Sequence, residues 1–230
     1  MQDPPLRGLA HIAERLAEIQ KQITITIPKL DLSALARRVV ELQDEARRIG
    51  AAGWTIPMWA TPAEVDQILG QARTHDIDSV FLQYYEADDQ ANYKQLKRDL
   101  LSRKPLNQWH PLIEQCFTAF EAHLCLVVVP AMITVVEGAI AAAGPAGSWK
   151  RKDPKQTASK LRAAAPRNSI NHAIWASVET FAALLFEEQA FTGNKPLRIN
   201  RHWILHGRDA PSWTSADCLR LFQAVDTISV

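Results

Sequence analysis

Glycine is scarce in this 230-residue chain, with nine residues against thirteen prolines. Few glycine-rich turns can form, and proline becomes the natural stop for helical segments. Cysteine is scarcer still: Cys116, Cys125 and Cys218 are odd in number and lack C-x-x-C spacing. That argues against a disulfide framework. With no signal peptide apparent, we expect reduced, mostly buried thiols in a cytoplasmic protein. A formal net charge of only +1 gives no general attraction to nucleic acid. Repeats and low-complexity tracts are absent. One apolar run, Leu124 to Ala143, approaches the length of a membrane span. Pro130 and Glu137 interrupt it, and it continues an amphipathic pattern begun upstream. We read it as a buried core helix and expect no membrane partner.

What the chain does contain is helical periodicity. With 47% hydrophobic and 22% charged residues it can bury a full core. Leu9, Ile12, Leu16 and Ile19 predict a helix from Leu6 to about Gln22, and Ile23 to Pro28 reads as an extended connector. A second helix is expected from Ser33 to Ile49. Thr61-Pro62-Ala63-Glu64 is a capping box with proline at the first helical position, opening a helix to about Arg73. The next begins near Asp76, bends near Asp88 and reaches Leu101. Leu106 to Ala143 is the longest periodic segment, which Pro130 is expected to kink or divide. Gly144 to Ser148 ends it, and a short helix follows between Asp153 and Ala165. Asn168 is the expected cap of a helix running to about Phe191, and Thr214 opens the last helix. No convincing sheet appears. The fold class is all-α, an antiparallel helical bundle over residues 105–230 with an N-terminal helical extension over 1–104.

Chemistry concentrates in Asn200-Arg201-His202-Trp203-Ile204-Leu205-His206-Gly207. A permanent cation, two imidazoles and a carboxamide alternate with apolar residues able to anchor the segment. A guanidinium holds anionic oxygens in a planar fork, and imidazole exchanges protons near neutral pH, so the set suits phosphate chemistry. Ser148 to Arg208 holds 11 Lys+Arg against 4 Asp+Glu, placing a basic excess around the segment. On an ideal helix five residues rotate by about 140°, so Arg201 and His206 should diverge unless a turn or a second copy of the chain intervenes. The structural alternative is a turn that these two residues pin by capping carbonyls and pairing with acids such as Asp209. His202 and His206 are four apart, as two ligands of one metal would be. No third ligand lies nearby, and no glutamate completes H-E-x-x-H, so neither metal nor cofactor is expected.

The run Arg201-His202-Trp203-Ile204-Leu205-His206 resembles the signature of the HEPN superfamily, an arginine and a histidine separated by four to six residues, commonly with a polar residue after the arginine. The wider phrase from Asn200 to Gly207, followed by a closing helix from Thr214, is similar too. The resemblance extends over about residues 106 to 230. It implies a metal-independent endoribonuclease that uses the RNA 2′-hydroxyl as nucleophile and leaves a 2′,3′-cyclic phosphate, as in toxins and phage-defence proteins. By that resemblance His206 is base or acid, Arg201 stabilises the phosphorane-like charge, and His202 orients or protonates. Asn200 would bind phosphate or hold a histidine tautomer. Glu137 is a carboxylate in an apolar helix. Since buried acids need a partner, it could pair with Arg201 or position a histidine, the alternative being a helix-end acid that reaches solvent. Glu137-Gly138 also matches an acidic residue before glycine in similar proteins. Arg198 and Arg208 would support the substrate. Arg208 stands where some such toxins carry a tyrosine modified by a partner enzyme, so a regulatory or antitoxin partner stays open. The resemblance also implies a homodimer whose motifs face each other, with RNA as partner.

Overall fold

The computed structural model describes residues 32–143, 153–167 and 169–229. The helix expected over Leu6 to Gln22, the connector after it, the Gly144 to Ser148 loop and the proposed Asn168 cap lie outside these residues. Among the described residues every regular element is helical and no strand occurs. The α-helices are α1 (Leu32–Ala51), α2 (Pro62–Thr74), α3 (Ile77–Ser102), α4 (His110–Glu121) and α5 (Cys125–Ala143). They continue as α6 (Pro154–Ala164), α7 (Ile170–Leu185), α8 (Arg201–Leu205) and α9 (Ser215–Ile228), with a 3-10 turn at Lys104–Trp109. The chain divides into Met1–Leu35 and Ala36–Val230, and the core and the Arg-His segment both belong to the second unit.

Local chemistry sets most boundaries. Thr61 and Glu64 form the expected reciprocal box at α2, and Thr214 and Asp217 form another at α9. Each satisfies amide donors that a helix start leaves open. The Asp76 carboxylate caps α3 by accepting from the Ser79 N–H at 2.9 Å. Within α3, Asp88, Asp89 and Gln90 take left-handed φ values of 49°, 54° and 59°, so the helix bends where the sequence suggested. Asparagine and aspartate tolerate that region better than most residues.

The long segment divides elsewhere than expected. Pro130 sits inside α5 without ending it. The break falls at Ala122 to Leu124, where His123 has φ 60°. The Leu124 N–H donates to the Ala119 carbonyl at 2.8 Å and the His123 N–H to that of Phe120 at 2.9 Å. This is a Schellman stop, and it leaves His123 exposed. Pro130 is the sixth residue of α5, so the helix runs on through it without the amide donor that would have bonded the Leu126 carbonyl.

α9 organises the core. It packs most extensively on α5, then α3, and also touches α7. Phe222 stacks on Phe117 of α4 with centroids 4.2 Å apart. Its polar residues are paired inward: the Tyr85 hydroxyl donates to Gln223 Oε1 at 2.6 Å, and the Gln223 amide donates to the Thr55 carbonyl. Buried Arg220 lies over the Trp54 ring at 5.3 Å and pairs with Asp78 and Asp217. Arg103 reaches Asp226 Oδ1 at 2.7 Å. Trp54, Thr55, Phe81, Tyr85 and Arg103 thus share one core with α9. The expected division between residues 104 and 105 meets no break in packing, because the aromatic linker after α1 is threaded against the closing helix. α5 is long and apolar enough to cross a membrane by length and composition, and half of its apolar window is buried in protein.

Candidate functional site

The segment after α7 is pinned before it becomes helical. Asn200 is the N-cap of α8, its Oδ1 accepting from the Trp203 N–H at 3.1 Å. Its Nδ2 donates to the carbonyls of Leu184 at 3.1 Å and Glu187 at 3.0 Å, the end of α7. At 2% exposure this carboxamide is fully used by backbone. The expectation that it holds phosphate or a histidine tautomer gives way to a structural role, in which it joins the start of α8 to the end of α7. Ile199, Trp203 and Ile204 are buried and anchor the turn.

α8 has only five residues, and its end is sharply made. His206 is the C-cap, and Gly207 has φ +65°, the left-handed region that glycine enters without penalty. The Arg208 N–H donates to the Trp203 carbonyl at 2.8 Å and the Gly207 N–H to that of Ile204 at 3.0 Å. This second Schellman stop turns the chain and carries Arg208 back over the preceding residues.

Arg201 opens α8 and faces α5. Its Nε donates to Glu137 Oε2 at 3.0 Å and its Nη2 to Oε1 at 3.4 Å, a two-point contact between half-exposed side chains. The neighbouring Gly138 lets Trp109 pack close against α5, since a Cβ there would come within 2.4 Å of the Trp109 ring. The pairing that the sequence offered as one option for Glu137 is the one the structure makes.

The imidazoles find a different partner. His202 stacks on Phe191 with centroids 4.6 Å apart and planes 4° from parallel. His206 meets His202 edge-on at 4.7 Å and Phe191 at 5.7 Å. The Arg208 guanidinium carbon lies 5.2 Å from the centre of the same Phe191 ring. The structure therefore gathers His202, His206 and Arg208 around Phe191 and pairs Arg201 with Glu137. Among the described residues no hydrogen bond or ion pair links Arg201 to either imidazole.

Two expected supporting residues are drawn elsewhere. Arg198 contacts Asp78 of α3 at 3.5 Å. Burial raises the Asp78 carboxyl, but hydrogen bonds from Arg220 and Trp54 outweigh it and hold the group below its ordinary range. Arg198 thus joins the ionic cluster around Arg220, away from the phosphate role proposed for it. His172 is buried at the start of α7, with Nδ1 3.3 Å from the Ala165 carbonyl. The α7 cap is made by Ser169, whose hydroxyl accepts from the His172 N–H. His172 lines a polar cavity of about 350 Å³ with Gln43, Ser159, Arg162, Arg167 and Glu179, and no residue of the motif lines it.

No group of three or more His, Cys, Asp or Glu side chains able to hold a metal occurs among the described residues. The three cysteines are free and buried. Burial pushes the Cys116 thiol up to about 11 and the Cys218 thiol higher still, so neither is a ready thiolate nucleophile. Compared with known families, curated proteins and solved structures, the chain finds no match.

The signal missed in the sequence is Phe191. It reads there as the last apolar residue of a helix. α7 stops at Leu185, and Phe191 instead lies in the turn that follows, 38% exposed and in contact with both histidines.

Proposed function

We propose that this chain is a HEPN-like, metal-independent endoribonuclease working through Arg201, His206 and His202. The observation that carries the reading is the presentation of these groups. Of the segment's apolar residues Trp203 and Ile204 are buried, while Arg201 and His202 are half-buried and Leu205, His206 and Arg208 are exposed. A charged substrate can therefore meet them without unfolding the core.

In this reading His206 removes the proton from the 2′-hydroxyl of RNA, and the resulting oxygen attacks the adjacent phosphorus. Arg201 stabilises the equatorial charge of the phosphorane-like transition state. His202 gives a proton to the departing 5′-oxygen, leaving a 2′,3′-cyclic phosphate and a new 5′-hydroxyl. Because Arg201 and His206 take different partners within one chain, a second copy supplying the complementary half would bring both to one phosphate. The guanidinium engages Glu137 through Nε and Nη2, so the substrate approaches through Nη1 or displaces the carboxylate. An exposed pair of this kind contributes about 0–1 kcal/mol, little against a phosphate with two unneutralised oxygens.

The same Arg201–Glu137 contact favours a second reading, a non-catalytic helical adaptor or RNA-binding protein in which the guanidinium ties α8 to α5. Single-stranded RNA incubated with purified protein in EDTA separates the two. The nuclease reading expects cleavage that survives chelation and falls about a hundredfold or more in both Arg201→Ala and His206→Ala. The adaptor reading expects none.

A further inference from the structure

We propose that Phe191 is a positioning residue that fixes the two motif imidazoles, an inference that rests on the nuclease reading only for its catalytic consequence. Four side chains converge on this one ring. His202 lies flat on it at 4.6 Å, His206 meets it edge-on at 5.7 Å, Trp203 at 5.9 Å and 67°, and Arg208 covers it at 5.2 Å. Neither imidazole has a hydrogen-bond partner among the described residues, so no carboxylate or carbonyl orients it in the usual way. The aromatic contacts are what remains to restrict their rotation. His202 and His206 touch each other at 4.7 Å, and a ring that immobilises the first therefore limits the second. Trp203, itself buried, gives Phe191 a fixed neighbour, and the Ala190–Gly193 turn, closed by a 3.3 Å hydrogen bond, brings the ring back over α8. The α8 stop that returns Arg208 completes the stack from outside. Phe191 touches no reacting atom in this arrangement. It acts through the histidines.

The test uses the full chain and three readouts. In the wild type, proton NMR should show nuclear Overhauser contacts from the Phe191 ring to the His202 imidazole; their absence in a folded sample overturns the proposal. Carbethoxylation of His202 by diethyl pyrocarbonate, followed by mass spectrometry, should accelerate in Phe191→Leu and return to the wild-type rate in Phe191→Tyr, which keeps the ring. Equal rates in all three proteins overturn it. For RNA cleavage in EDTA, Phe191→Leu should lower kcat about ten- to a hundredfold with KM unchanged, and Phe191→Tyr should restore it. A loss confined to KM, or unchanged kcat, assigns Phe191 to substrate contact or to packing and overturns the positioning role. The first two readouts need no RNA. An inactive wild type would end the nuclease reading and still leave the placement of the imidazoles decided.

Discussion

α9 and α8 lie within thirty residues of each other and use polar groups in opposite ways. In α9, Gln223 and Thr227 are hydrogen-bonded inside the core and Arg220 and Asp226 are ion-paired there, with both Asp226 carboxylate oxygens buried and lacking a hydrogen-bond donor. In α8, Arg201, His202 and His206 are held by one half-exposed ion pair and one aromatic stack. Buried polar groups must be satisfied internally at high stakes, whereas exposed ones are satisfied by water and remain available. The first helix is therefore where folding is decided, and the second is where a ligand can be met. Asn200 is the joint between the two styles: a buried, fully bonded side chain that aims an exposed motif.

Substitutions should reveal the contrast as a difference in scale. Phe222→Ala, which removes the stack on Phe117, should cost about 3–5 kcal/mol in chemical denaturation, the range for losing a buried aromatic ring. Asp226 adds a pH signature. Burial first, with Asp99 adding, lifts its carboxyl from its ordinary 3.8 to about 6, although Arg103 pulls the other way. A pKa raised by folding means the native state holds the proton more tightly. The contribution is fully present below the unfolded value near 3.8 and is lost as pH rises through about 6. It amounts to about 3 kcal/mol, to order of magnitude. Asp226→Asn should remove it, so the stability difference between wild type and variant should change between pH 4 and pH 7 in urea melts. Parallel curves would break the account of α9.

Asn200→Ala comes next. Losing the N-cap should cost about 1–2 kcal/mol, with the Leu184 and Glu187 carbonyls also losing a donor. The smallest stability effect is expected at the site itself. Arg201→Ala and Glu137→Gln should each shift stability by less than about 1 kcal/mol, as exposed ion pairs do. A large loss in either would make the α8–α5 contact a structural clamp and favour the adaptor reading.

Much of the fold was legible where local chemistry dictates it. The Thr61 and Thr214 boxes, the Asp76 start and the bend near Asp88 all follow from side chains acting on neighbouring backbone. The break at His123 was not legible, since a histidine carries no mark of the left-handed stop that a glycine would announce. Proline is the stronger mark of a helix stop in a sequence, yet the division falls at His123 and α5 runs on through Pro130. At the site, the Glu137–Arg201 pair followed from a carboxylate in an apolar helix needing a partner. The capture of Arg198 by Asp78, the commitment of Asn200 to backbone and the arrival of Phe191 are tertiary events. Spacing along a chain does not encode them.

The central claim is that Arg201 and His206 act on a phosphate flanked by a 2′-hydroxyl, and the chemistry of the product ends tests it most directly. RNA, 2′-O-methyl RNA and DNA of one sequence would be incubated with the protein in EDTA and the fragments resolved by mass spectrometry. The account predicts 2′,3′-cyclic phosphate ends from RNA alone, lost with Arg201→Ala. Fragments from DNA or from the methylated strand, or cleavage unchanged in that variant, would contradict it.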